Sequence, residues 1–508
     1  MAESVRSTFP RSIPYIIGNE AAERFSFYGM RNILVAFLAS QFFDALPESE
    51  RGPAARQVFH TFVMGVYFFP LIGGFIADRF FGRYATILWV SLVYCVGHLL
   101  LALFDDVPNG FYAGLFLIAM SSGGIKPCVS AFVGDQFDSS QRSLARVVFD
   151  GFYWVINFGS FFATLLAPIL LARWGPSVAF GVPGVLMALA TFIFWLGRNT
   201  YVKVAPTPSD PRAPTRLAWT LLTDHPSGRA ALWLAGAGAL ASLVCGTWLG
   251  PIPALCLALV TILGTTSITL WKLLPTDDGD EDIAALRSIL RLLLLFALVT
   301  PFWSLFDQKA STWVLQAGHM TLPSFMTSAS QMQSLNPLLV MLLIPINNLV
   351  LYPLIRRLGV EPTPLRRMTV GIALSGFAWI VVGCMQLWID GGATLSIAWQ
   401  ILPYAILTLG EVLVSATGLE FAYSQAPMNA KGTLMSFWSL SVTVGNLWVL
   451  LVDAALKRDS VSVAVSAATG WTVTAFQMFF FAGMAFAAAT VFGAVARVMP
   501  VASRYRSA

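Results

Sequence analysis

Residues 13–40, IPYIIGNEAAERFSFYGMRNILVAFLAS, constrain this chain more than any other stretch. As a helix the segment is about 40 Å long, enough to cross a bilayer, and most of it is apolar. It nevertheless carries Glu20, Glu23, Arg24 and Arg31. One charge near the bilayer centre costs at least roughly 2.5–3.5 kcal/mol, so four on one span must face polar partners or a water-filled cavity. At about 100° per residue, Glu20, Arg24 and Arg31 fall within roughly 40° of one another, and Glu23 and Tyr28 widen the stripe to about 140°. A ladder of salt bridges that only joins helices would satisfy this pattern. An ion or substrate pathway satisfies it too, and is what ionisable residues inside a membrane favour.

The rest of the chain agrees with a membrane protein. Of 508 residues, 57% are hydrophobic and 11% charged, which excludes an ordinary soluble domain. Fourteen apolar spans are read, near 14–40, 57–79, 84–104, 110–133, 149–172, 177–197, 230–248, 251–272, 285–312, 330–355, 367–389, 396–425, 432–454 and 470–496. Arg79 and Arg83, Arg142 and Arg146, Arg198 and Lys203, then Arg356, Arg357, Arg366 and Arg367 fall in alternate loops. The opposite loops are poorer in net charge, with Arg51 and Arg56 beside Glu48 and Glu50. The positive-inside rule then puts both termini in the cytoplasm, at the inner membrane. Six spans, an inserted pair and six more predict two six-helix bundles: residues 1–200, a linker and hairpin over 201–279, and residues 280–508. The linker VKVAPTPSDPRAPTR is polar and rich in proline. The hairpin is read as lipid-facing and carries no assigned chemistry. The net charge of +5 lies in short loops and does not imply nucleic acid. Five cysteines and four scattered histidines lack metal-ligand or haem spacing, so no cofactor is expected.

Several motifs stand on these spans in order. The loop after span two, GGFIADRFFGRY, resembles the signature of major facilitator transporters between their second and third helices. Its glycines allow close helix contact, and Asp78 can cap a helix or pair with arginines. Glu20-x-x-Glu23-Arg24-Phe25-x-Phe27-Tyr28-Gly29 resembles the ExxERFxYYG motif of the proton-coupled oligopeptide transporters, with Phe27 where that family usually has tyrosine. SSGGIKPCVSAFVGDQF (121–137), FYWVINFGSFF (152–162), FWSLFDQKASTW (302–313), QSLNP (333–337) and GEVLVSATGLEFAYSQAP (410–427) are similar to further family segments. Both halves are covered.

The resemblance implies an all-α integral membrane protein of the major facilitator fold, with fourteen transmembrane helices. It would work as a monomer that imports di- and tripeptides together with protons. A short peptide is a zwitterion of near-constant length, so its site needs a cation at one end, an anion at the other, amide partners between and apolar pockets beyond. Arg31 and Lys126 are expected to hold the carboxylate and Glu411 the ammonium, with the peptide bridging the two bundles. Tyr28, Tyr67, Asn157 and Asn336 are candidate backbone partners, Ser415 is a further candidate peptide-binding residue, and Trp303 and Trp438 are candidate apolar walls. Glu20, Glu23, Arg24, Lys126, Asp307 and His60 are the candidate proton-coupling groups, because a carboxylate beside a cation can switch when it protonates. The resemblance places Asp307 opposite Arg31, and Glu420 is a lesser candidate near the other end of the span at 396–425. A proton-driven exporter of drugs or other organic solutes on the same fold is the rival. No charge ring or filter suggests a channel, and no catalytic arrangement suggests an enzyme.

Overall fold

The computed structural model describes residues 9–137, 142–206, 214–246, 250–275, 281–419, 421 and 431–498. Glu420, residues 422–427 of the motif at 410–427, and the side chains of Asp78 and Arg79 lie outside the described residues.

In chain order the helices are α1 (Ile13–Phe37), α2 (Glu48–Phe68), α3 (Pro70–Ile76), α4 (Arg83–Leu103), α5 (Pro108–Asp135), α6 (Arg142–Leu196), α7 (Pro214–Asp224), α8 (Pro226–Gly246) and α9 (Pro251–Leu273). They continue as α10 (Glu281–Asp307), α11 (Thr312–Ala317), α12 (Leu335–Ile346), α13 (Tyr352–Arg357), α14 (Pro364–Asp390), α15 (Ile401–Glu411), α16 (Lys431–Leu456), α17 (Asp459–Thr469) and α18 (Val473–Val498). Among the described residues, twelve helical stretches are long and apolar enough to cross a membrane. One of these, residues 154–199, holds two spans, because Gly175 breaks α6 with φ 80°. The 25 residues of α1 add a further helix of spanning length, set apart by its charges. Fourteen spans are thus accounted for.

The chain forms two compact units. The first comprises residues 1–55, 69–207 and 310–342. In it α1 packs along α6, with Gly29 against Ala163 and Ala167. Two sequence motifs meet at α3 and α5. A Cβ on Gly73 would stand 2.4 Å from Cα of Gly124, so only glycine fits there. At the end of the same contact, Arg83 Nη1 donates to both carboxylate oxygens of Asp135, at 2.6 and 2.7 Å. The segment Ala329–Ser334 is clasped to this unit by side-chain amides. Gln331 donates to the Leu165 carbonyl at 3.2 Å and Gln333 to the Asn32 carbonyl at 3.3 Å. Asn32 in turn donates to the Thr164 carbonyl at 2.8 Å.

The second unit comprises residues 56–68, 208–309 and 343–508. Here α10 packs on α16, where a Cβ on Gly445 would lie 2.7 Å from Cβ of Trp303. Trp379 Nε1 donates to the Leu305 carbonyl at 3.2 Å and ties α14 to α10. In the inserted hairpin, α8 exposes Trp233, Leu234 and Leu240. Helix α9 buries Cys256 against Met64, Leu447 and Leu450, so the hairpin has a docked side as well as an outer one. Two expectations are corrected. The end of the polar linker is helical: α7 is amphipathic and sets Leu222 into a cluster with Leu270, Leu274, Leu286 and Leu290. Residues 48–56, read as a loop, form the start of α2, whose first turn carries Glu48 and Glu50 where acidic groups suit the helix dipole.

Candidate substrate and proton sites

The first unit gathers the charges of α1. Glu20, Glu23, Arg24 and Arg31 are all buried. Arg24 Nε donates to Glu20 Oε1 at 2.6 Å, the i, i+4 pair that the helical period demands. The Glu23 carboxylate also lies 3.0 Å from Arg24 Nε, but without hydrogen-bond alignment. One guanidinium thus serves two carboxylates. Lys126, on α5 just before Pro127, is half-buried, with Nζ 4.4 Å from the centroid of the Phe27 ring. Phe27 is buried and meets Tyr28 edge-on at 5.3 Å. The ring at this position therefore acts on Lys126 through its π face, a role that phenylalanine and tyrosine share. Tyr28, Asn157 and Asn336 are half-buried. Gly159 of the span-five motif brings α6 close to α1, since its Cβ would come within 3.2 Å of the Ala21 carbonyl.

The second unit holds the other candidates. Asp307 ends α10, 2% exposed, and accepts at 2.7 Å from Nδ2 of Asn446. Oδ1 of the same amide lies 2.6 Å from Nδ1 of His60, which is fully buried on α2. An amide oxygen can only accept, so this bond places the proton on His60 Nδ1. His60 and Asp307 are thereby joined through one side chain, and the structure supplies the link, Asn446, that sequence reasoning missed. One turn earlier on α2, Arg56 Nε lies 3.3 Å from Asp453 Oδ2, and Gln477 donates to the other oxygen of Asp453. Arg56, read as a loop cation, is instead a buried ion-pair partner.

Trp303 and Trp438 are buried and meet edge-to-face at 6.0 Å, and Phe296 meets Trp438 in the same way at 5.4 Å. Gly418 makes room for the Trp438 ring, for its Cβ would fall 2.2 Å from that ring. Glu411 closes α15 and is half-buried. A π-helical turn over Val412–Ala416 follows it and contains Ser415. Such a turn adds a residue to the helix and re-aims its neighbours, a device frequent at functional sites. Tyr67 is half-buried two turns after His60. The polar residues inside apolar spans were the available signal for Asn446, Asp453 and Gln477.

Comparison with known proteins gives a consistent result. The family described as PTR2, POT family, matches residues 84–472. The crystal structure of an "auto inhibited POT family peptide transporter" is 56% identical, covers 98% of this chain and 99% of its own, and superposes with a TM-score of 0.93. The in meso crystal structure of "the POT family transporter PepTSo" is 57% identical over 97% of this chain and 99% of its own, also with a TM-score of 0.93. Peptide transporter 3 of Caenorhabditis elegans is 32% identical over 94% of this chain, and the chain spans 64% of that curated relative's length. The fold is the all-α major facilitator arrangement expected.

Proposed function

Because this chain belongs to the POT family, a family of transporters and not of enzymes, we propose that it is a proton-coupled symporter importing di- and tripeptides by alternating access. Arg31 and Lys126 hold the peptide carboxylate, and Glu411 holds the ammonium. Tyr28, Tyr67, Asn157 and Asn336 bond the backbone, Ser415 lines the peptide site, and Trp303 and Trp438 wall the side-chain pockets. The burial of Arg31 and the placing of Lys126 on an aromatic face support the anion end, since both cations are partly stripped of water and gain from a carboxylate.

The observation that carries the proton half of the reading is the buried chain His60–Asn446–Asp307. Two titratable groups share one amide, so a change of charge at either is felt by the other. Protonating Asp307 removes the charge that Asn446 donates to and loosens the chain. Glu20, Glu23 and Arg24 form the second switching cluster. The arginine-rich loops support a cytoplasmic-membrane location with both termini inside. All the named groups lie on one chain, which supports a functional monomer.

Dialanine uptake into proteoliposomes, with and without an inward proton gradient, tests this reading. Gradient-driven uptake is expected, and Glu411→Gln is expected to weaken it by about tenfold or more, the effect of one charge-assisted hydrogen bond. A folded wild type that accumulates no dialanine would overturn the reading and point to a non-peptide solute.

A further inference from the structure

Behind the charged stripe of α1, the first unit holds a second polar layer that the proposed transport cycle does not use. Ser26 on α1 lies 2.9 Å from Nε2 of His98 on α4, and its hydroxyl donates to the Pro183 carbonyl at 2.7 Å. His98 is fully buried, and the Tyr94 ring stacks on its imidazole at 5.1 Å, 15° from parallel. The Ser26–His98 contact sets the register between α1 and α4. One turn back along each helix stand Glu23 and Tyr94. The Tyr94 hydroxyl, the Glu23 carboxylate and the Ser122 hydroxyl of α5 are neighbours in this layer. Yet Tyr94 Oη, both Glu23 oxygens and Ser122 Oγ make no aligned hydrogen bond to any described protein atom, although all are buried. Asn19 Oδ1, one turn before Glu23, and Ser121 Oγ are in the same condition. Buried polar atoms left this way are satisfied by internal water or by a small shift of the donor.

We propose that Tyr94 is a positioning residue for proton coupling: its hydroxyl, directly or through internal water shared with Ser122, donates to the Glu23 carboxylate and sets how readily Glu23 takes a proton. The proposal rests on the symport reading, in which Glu23 is a proton-coupling group. A phenol anchored by stacking on His98 is held in place, whereas Arg24, Nε 2.6 Å from Glu20, is shared. Tyr94 is then the neutral donor that favours the charged form of Glu23 without adding a cation. The charged and titratable groups facing Glu23 are Arg24, Glu20, Lys126 and Tyr94. Of these, Tyr94 can be altered without changing the charge count.

The sign of the effect follows. Tyr94→Phe removes a donor to the carboxylate, destabilises its charged form and lets Glu23 protonate at higher pH. The test measures gradient-driven dialanine uptake against pH in proteoliposomes for wild type, Tyr94→Phe and Glu23→Gln. The midpoint is expected to move alkaline by about one pH unit in Tyr94→Phe, a tenfold change in proton affinity. A purely structural role would lower uptake at every pH alike and leave the midpoint in place. That result, or a profile identical to wild type, overturns the proposal. If Glu23→Gln keeps the wild-type profile, Glu23 itself is not a coupling group and the proposal falls for that separate reason. The infrared carboxyl band that Glu23→Gln abolishes gives a second readout on purified protein. It is expected to titrate at higher pH in Tyr94→Phe, even where that variant transports poorly, and an unmoved band is a refutation.

Discussion

Removing one partner of the Arg56–Asp453 pair is expected to destabilise the second unit more than removing both. The two side chains are 11% and 6% exposed and lie 3.3 Å apart. At an effective dielectric constant of about 20 their attraction is roughly 5 kcal/mol. Desolvating two ions offsets most of that, so against a well-packed apolar pair the net contribution is near zero. Arg56→Met leaves Asp453 a buried carboxylate with the Gln477 amide as its remaining donor among those described. The expected loss is about 3 kcal/mol, the low end for a broken buried pair, because the N···O contact is long. Asp453→Leu strands the guanidinium and is expected to lose a similar amount. The double variant, Arg56→Met with Asp453→Leu, is expected to fall within about 1 kcal/mol of wild type. All four proteins of this cycle can be compared by reversible unfolding in mixed micelles, followed by tryptophan fluorescence. If the double variant loses the sum of the two single losses, the residues act independently. The account of how the Arg56–Phe68 half of α2 is held in this unit would then be wrong.

Two further outcomes bear on the fold and on coupling. Asn446→Leu cuts both bonds of the His60–Asp307 chain, so proton-driven accumulation should fall by about tenfold or more, and peptide counterflow should fall less. Equal losses in the two assays would remove the chain from coupling. Gly73→Ala should lower stability by about 1–3 kcal/mol, because the added methyl meets backbone 2.4 Å away. Gly483→Ala, with nothing within 4 Å of the new Cβ, should be neutral or stabilising by up to about 1 kcal/mol. Thermal unfolding in micelles compares the two, and an equal effect would refute the close α3–α5 contact.

Much of the membrane architecture is legible along the chain, because burying about 20 apolar residues in lipid is a local requirement that each span satisfies alone. The α1 cluster is legible for a similar reason. Helical geometry relates residues four apart, so the Glu20–Arg24 bond follows from the period. The start of α2 was hidden because residues 48–56 are too polar to resemble a span, and α7 because a proline-rich run masked the amphipathic stretch beyond it.

Sequence by itself determined which spans carry charge, which motifs they bear and which groups can bind a zwitterion or a proton. Tertiary structure alone decided how those groups are partnered. Arg56 reads as a loop charge until α16 brings Asp453, 397 positions away, against it. Asn446 is one more amide in an apolar helix until it is seen between His60, 386 positions away, and Asp307. Tyr94 is an aromatic residue in an apolar span until its ring is seen stacked on His98, which Ser26 of α1 meets at 2.9 Å. Local periodicity fixes the direction of a side chain on its own helix. Its partner depends on how separate helices pack, and in lipid that packing follows from small-residue contacts and polar bonds between segments far apart in the chain.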